Sequence, residues 1–544
     1  MDLIMSSKFT THSISVNRLF QSLHHLFCAS LVLTIVLFTS SFFAFGYSQP
    51  TGGISTTAQK WVGTWSTAPQ LVEPGNNPPS PGLSNNTLRQ IVRVSLGGDS
   101  LRMRFSNEFS TSPATMNSVH IAVSMGGGTI DSSTDKVLNF NGKPEITIEP
   151  GTAVTSDPFQ FALQPRTNAA ITIYFGSTSP DVTGHPGSRT TSYLLTGNEV
   201  SKVDFSNAVQ TDHWYIINGI DVLAPDSAAA VAVIGNSITD GRGSGTNKQN
   251  RWPDELARRL QENTETKQVA VLNQGIGGNC VLRACLGPSA VSRFKRDVLD
   301  QYGVKWLIIL EGINDIGQAI GTQGSAKVAQ DLIAAYEQMI DSAHAKGILV
   351  YGVTLLPFGG SSYYTADHEN ARQTVNDWIR NSGRFDSVID LDKALRDPAH
   401  PLQLLPGADT GDHLHPNETG HRMMAESVDL TLFLGELSTD MSEKSENLPN
   451  TFSLLQNYPN PSNPLTTITF TLPVKSFVTL KVFDSLGREV SKLVSEEMLP
   501  GTYSRQWNSE GLSSGAYFYR LVVNAIPLGQ AGSYIETKKL IITK

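Results

Sequence analysis

Through the first half of the chain apolar and polar residues alternate. In "IVRVSLGGDSLRMRFSN", Val92, Val94 and Leu96 share one face between polar neighbours, and beyond Gly97-Gly98-Asp99 the residues Leu101, Met103 and Phe105 repeat the pattern. A period of two is that of a strand with one buried face, and the turn between the two runs predicts a hairpin. "AITIYFG" alternates Ile171, Ile173 and Phe175 in the same way. Turn clusters separate these runs and no long helical period interrupts them, so residues 60–225 are expected to form a β-sandwich or jelly roll. The pattern does not say whether this region supports the fold, binds substrate or shapes a site.

The period changes at about Asp226. "AAAVAVIG" is a continuous apolar run, as in a strand buried on both faces. A helix pattern follows in "WPDELARRLQ", with Pro253 suited to a first turn. Strands in "QVAVLNQG", "VKWLIILEG", "ILVYGVTLLP" and "SVIDLD" then alternate with helices in "AKVAQDLIAAYEQMIDSAHAKG" and "ETGHRMMAESVDLTLF". Repeated βα units predict an α/β domain with a parallel sheet over residues 226–437. "STDMSEKSENLPN" lies in a polar linker, 438–451. Beyond it "ITFTLP", "FVTLKVFD" and "GAYFYRLVV" predict a small β-sandwich over 452–544, with "SLGRE" as a hairpin turn.

Composition narrows the class. Net charge is −8 with no long basic run, which argues against nucleic acid as a partner, since phosphate contacts need clustered Lys and Arg. Residues 1–46 carry Lys8 and Arg18 ahead of the apolar "LFCASLVLTIVLFTSSFFAFG", the pattern of a signal peptide cleaved after Gly46 or Ser48. An uncleaved anchor is the other reading of that run, but serine and threonine interrupt it; no stable membrane span is expected in the mature protein. Past the leader only Cys280 and Cys285 remain, in "GNCVLRACLG". An exported protein can bond them, although separation alone leaves two free thiols as an alternative.

Three stretches carry candidate chemistry. In "VAVIGNSITDGRGSG", Ser237 follows a buried parallel strand, where ligand crevices of such sheets open; alone it is a nucleophile or merely a helix cap in a glycine-rich loop. "DTGDHLHP" sets Asp412 three residues before His415. That spacing suits a carboxylate that orients an imidazole base, while the nearby Asp409 and His413 leave a metal-binding or structural histidine cluster open. "NQGIGGN" and "LEGIND" follow the next two strands. There Gly278 N–H and the Asn314 side chain can serve, with Ser237 N–H, as oxyanion donors, or they are only turn formers and caps. Trp252, Tyr363 and Tyr364 are candidate sugar-stacking contacts, though aromatics at such positions are more often packing.

Together "GNSITDG", "NQGIGGN", "GIND" and "DHLHP" resemble, in order and approximate spacing, the four blocks of the SGNH (GDSL-type) hydrolases over residues 228–436. The resemblance implies a flavodoxin-like three-layer α/β/α domain and acyl-ester hydrolysis without metal or cofactor. It carries over Ser237 as nucleophile, Gly278 and Asn314 as oxyanion donors, Asp412 as orienting acid and His415 as base. "GTWSTAPQ" and the paired β runs after it look like the β-rich region preceding this domain in some secreted members. One position departs: the family's Gly-Asp-Ser reads Gly235-Asn236-Ser237, which keeps an acceptor but loses a charge. "LLQNYPNPSNPLTTITFTLP", "VFDSLGREV", "LSSGAYFYRL" and "KKLIITK" resemble a type IX secretion C-terminal sorting domain, implying export through that machinery to the cell surface or medium. "GLSSG" (511–515) mimics a G-x-S-x-G elbow, but no histidine follows His421, as that order would need.

The expected function is a secreted serine esterase acting on acyl esters, with an acetylated polysaccharide or oligosaccharide as the preferred substrate. Lipid or short aryl esters and acyl transfer are the alternatives, and a non-catalytic surface glycan-binding protein is a remote one.

Overall fold

The strand Ala229–Gly235 (β1) is buried at every position, so both of its faces must find apolar cover. In the computed structural model, which describes residues 58–434, 451–457, 459–474, 476–498, 501–525 and 533–543, it lies inside a five-stranded parallel sheet. The neighbours are Val269–Gly275 (β2), Val304–Leu310 (β3), Leu349–Val353 (β4) and Ser387–Ile389 (β5), in the order β2-β1-β3-β4-β5. That is the flavodoxin-type doubly wound order. The chain steps one way from β1 to β2 and the other way from β2 onward. Right-handed crossovers therefore put the helix Trp252–Glu262 on one face and the helices Gly321–His344 and Ala366–Asn381 on the other. Within Gly321–His344 the residues Ser325, Ala329, Leu332, Tyr336, Met339 and Ala343 are buried, a helical stripe three and four residues apart.

The region before the sheet is antiparallel β, in two main sheets that close on one core. Here the expected hairpin is corrected. Asn86–Arg93 pairs with Asn168–Phe175 and Ser192–Thr196, whereas Gly98–Ser106 pairs with Ile217–Pro225, Phe159–Leu163 and Ala153–Thr155. The chain crosses from one sheet to the other through residues 94–97, where Val94 N–H binds Thr167 and Ser95 N–H binds Thr64. Val92, Val94, Leu96, Leu101, Met103 and Phe105 nevertheless share one core, because both sheets turn an apolar face inward. Alternation reported the buried face correctly but carried no information about the partner strand.

This β region is not a separate lobe. Its core runs on through Ala228 into Ala230, Ala270 and Leu272 of the parallel sheet. It also caps the sheet's edge strand, with Val271 N–H donating to Ser95 Oγ (3.1 Å) and Gln274 Nε2 to Ser66 Oγ (2.7 Å). An open edge would invite pairing with other chains, and this one is covered. Towards the C-terminus, Ser476–Phe483 and Glu489–Met498 form the expected hairpin about Asp484–Arg488, in a four-stranded antiparallel sheet beside a three-stranded one. The leader, 1–46, and most of the linker, 438–451, lie outside the described residues. Among the described residues no helix is long and apolar enough to cross a membrane.

Candidate active site

The nucleophile candidate sits in a one-turn helix, Ser237–Asp240, pressed on the carboxyl ends of β1 and β2. The approach is tight: a Cβ on Gly275 would lie 2.3 Å from Asp240 N, so only glycine fits there. Asn236 caps the turn, its Oδ1 accepting from Ile238 N–H at 3.1 Å, and Gly241 ends it in the left-handed region at φ 107°. The Asn236 amide also donates to Glu311 Oε2 at 3.3 Å. Glu311 is fully enclosed, and burial pushes its carboxyl up to about 8 despite the neighbouring Arg293.

Ser237 Oγ lies 2.9 Å from His415 Nε2, and His415 Nδ1 lies 2.7 Å from Asp412 Oδ2. The loop that delivers them is folded by Asp412 itself, whose Oδ1 accepts from the N–H groups of Leu414 (3.0 Å) and His415 (2.9 Å). Partial burial opposes the Asp412 charge, but these bonds and the imidazole outweigh it and hold the carboxyl well below its usual range. Burial is the main influence on His415 and lowers its pKa; Asp412 works the other way, and Arg242 and Arg189 add to the lowering. The lowering favours the neutral imidazole, the form able to accept a proton. Asp409 and His413 form their own pair at 2.7 Å. Among the described residues no group of three or more His, Cys, Asp or Glu side chains is placed to hold a metal ion.

Gly278, at φ 70°, stands on the loop after β2, and Asn314 in the short helix Ile313–Gly317 after β3. Asn314 Nδ2 gives one hydrogen to Asn279 O at 2.7 Å, and its Oδ1 accepts from Tyr363 Oη at 3.1 Å. These two bonds fix which way the amide faces and leave its second N–H for a ligand. Arg293, wholly buried, ties the assembly together by donating to Gly235 O, Gln274 O and Asn279 Oδ1. Asp315 holds the following loop through Val281 and Leu282 N–H, and within that loop Cys280 and Cys285 are bonded, with Cα atoms 5.6 Å apart.

The aromatic candidates divide. Trp252 is corrected: it is 1% exposed and packs in the core beside Thr239, so it cannot stack on a sugar. The Tyr363 hydroxyl is engaged by Asn314, and Tyr364 is exposed, with its ring edge-on to Phe358. Arg293 and the orienting role of Tyr363 were missed from sequence. Asn279, which receives the Asn314 amide and the Arg293 guanidinium, is signalled in the sequence only by its place beside Gly278.

Residues 233–423, which contain Ser237, Gly278, Asn314, Asp412 and His415, match the GDSL-like lipase/acylhydrolase family. This domain is that of an enzyme acting on ester bonds. The chain therefore carries a GDSL-like lipase/acylhydrolase domain and, at 456–543, a secretion system C-terminal sorting domain, which marks a secreted or cell-surface protein. Among solved structures, the chain is similar to an acetyl xylan esterase from Geobacillus stearothermophilus, at 19% identity over 39% of this chain and 99% of that one, with a TM-score of 0.30. A GDSL-like lipase from Bacteroides thetaiotaomicron VPI-5482 shares 18% identity over 38% and 87% of the two chains, TM-score 0.27. An α/β hydrolase from the metagenome of Lake Arreo, Spain, shares 20% over 39% and 98%, TM-score 0.27. No curated protein matches the chain.

Proposed function

We propose that the protein is a secreted serine esterase that removes acyl groups, acetyl foremost, from a polysaccharide or oligosaccharide. The observation that carries this reading is the hydrogen-bonded line from Ser237 through His415 to Asp412. Ser237 Oγ attacks the ester carbonyl and passes its proton to His415 Nε2, while Asp412 stabilises the imidazolium. The oxyanion is met by Gly278 N–H, Ser237 N–H and Asn314 Nδ2; such donors are each worth roughly a hundred- to a thousandfold in rate. Collapse breaks the ester C–O bond, and the alcohol leaves with the proton from His415. Water then repeats the sequence on the acyl-serine and releases the carboxylic acid.

The test is hydrolysis of 4-nitrophenyl acetate, followed by acid release from acetylated glycans. Wild type is expected to turn over both, and Ser237→Ala neither. Equal rates for the two proteins would remove Ser237 from the reaction.

A further inference from the structure

The loop Pro186–Thr191 of the N-terminal β region is seated on the nucleophile turn. His185 Nε2 meets Asp240 Oδ1 at 2.9 Å, and Gly187 packs so closely on the Asp240 carboxylate that a Cβ there would overlap it. Arg189 O accepts from Asn247 N–H at 2.9 Å, and Asn247 in turn exchanges two side-chain hydrogen bonds with Thr191, each 2.8 Å. Arg189 is thereby brought, from another part of the fold, to the rim of the site. Arg242 directly follows the nucleophile turn. Its N–H binds Ser237 O at 2.8 Å, its carbonyl accepts from His421 Nε2 at 3.0 Å, and the next residue, Gly243, lies against the Pro416 carbonyl.

Among the described residues these are the two arginines whose guanidinium groups make neither a hydrogen bond nor an ion pair, and Arg189 Nε is buried without a partner. The acids close by are already engaged: Asp240 with His185, Asp412 with His415, and Glu418 with Lys248 and Asn250. The unpartnered Arg189 Nε is costly in the free protein, and the charges of both arginines oppose the imidazolium on which the reaction depends. A planar oxyanion bound between them removes both costs, and guanidinium is the side chain best matched to such a group.

We propose that Arg189 and Arg242 form an anion subsite beside His415, and that the substrate is an O-acylated acidic glycan whose uronate carboxylate docks there. This rests on the esterase reading and sharpens its substrate class. The N-terminal β region then contributes to specificity through Arg189. A sulfate ester on a glycan offers similar oxyanion chemistry, and the experiment separates the two.

Acetate release is compared for an O-acetylated oligogalacturonate, its carboxyl-amidated counterpart, and an O-acetylated sulfated neutral glycan. For wild type, kcat/KM on the carboxylate substrate is expected to exceed that on the amidated one by about tenfold or more, the size of a charge-assisted bond. Arg189→Gln and Arg242→Gln should each shrink that ratio, as should raising ionic strength from about 0.01 M to about 0.5 M. Arg242 is exposed, so its variant is expected to fold, and the salt series needs no variant. Equal rates on the carboxylate and amidated substrates, or a ratio unmoved by both substitutions, overturns the subsite. Faster release from the sulfated glycan than from the carboxylate overturns the uronate assignment. Ser237→Ala is run on all three; activity that survives it defeats the esterase reading instead.

Discussion

Asn236→Asp restores the aspartate of the resembled motif and is the sharpest probe of the nucleophile turn. The acceptor that caps Ile238 N–H is retained, so the turn keeps its form. What changes is the other side of the residue, where an N–H donor 3.3 Å from Glu311 Oε2 becomes a second carboxylate. At that separation two full charges repel by roughly 5 kcal/mol at an effective dielectric near 20, or between about 3 and 4 pH units of proton affinity. Glu311 is already pushed up to about 8, chiefly by burial, so the native carboxyl holds a proton at neutrality. In the variant that proton lies between Glu311 and the introduced carboxylate, and double charging is deferred to higher pH.

The sign of the stability effect follows. A folded carboxyl whose pKa is raised keeps a proton that the unfolded chain has released above about 4.5, so stability falls with rising pH until the native group also lets go. For wild type this contribution ends near pH 8, and for Asn236→Asp it continues beyond. The gap in unfolding free energy between the two proteins should stay level from about pH 5.5 to about 7.5 and then widen by up to about 1.4 kcal/mol per pH unit. Urea unfolding of both proteins across that range measures it, with 4-nitrophenyl acetate turnover in parallel. Turnover near pH 7 should change by less than about tenfold, since the cap is kept. A gap that widens on acidification, or stays constant to about pH 10, refutes the shared proton; loss of all activity in a folded variant refutes the view that Asn236 acts mainly as the cap.

Other consequences can be checked directly. Burial first, then Arg242 and Arg189, lowers His415 while Asp412 opposes them, so kcat/KM should rise with pH through one ionisation centred below 6.5 and then level off. A midpoint above neutrality contradicts this. Tyr363→Phe removes the bond that orients the Asn314 amide and should lower kcat by about tenfold with KM little changed; a pure KM effect would return Tyr363 to substrate contact. Reducing Cys280–Cys285, which closes a short loop of five-residue separation, should cost about 2 kcal/mol of stability by chain entropy and is read as a shift in the urea midpoint.

How much of this was legible depends on the range over which each contact acts. Parallel strands deliver their following loops to one sheet edge, so Ser237, Gly278 and Asn314 fell together once β1, β2 and β3 were recognised by their apolar runs. Asp412 and His415 were legible because their bond is local, three residues apart. Sequence period is silent about partners that are far apart along the chain. It could not tell that Asn86–Arg93 and Gly98–Ser106 join different sheets, since both turn alternate residues inward. Nor could it tell a core tryptophan from a surface one at Trp252, where a helix start offers either face.

The same limit hid what links the β region to the chemistry. The bonds that seat Pro186–Thr191 on the nucleophile turn span more than fifty residues, as in His185 to Asp240 and Thr191 to Asn247. Along the chain His185 ends the short strand Thr183–His185 and Arg189 follows in a loop, with no local pattern that marks either for the site. Once the β core is continuous with Ala230 and Leu272, however, the placement of that loop is no longer free. The shared core holds the β region against the sheet, and with it the Pro186–Thr191 loop against the nucleophile turn. On the proposed reading Arg189 gives that region a part in selecting the substrate, while Ser237, Asp412 and His415 come from the α/β domain.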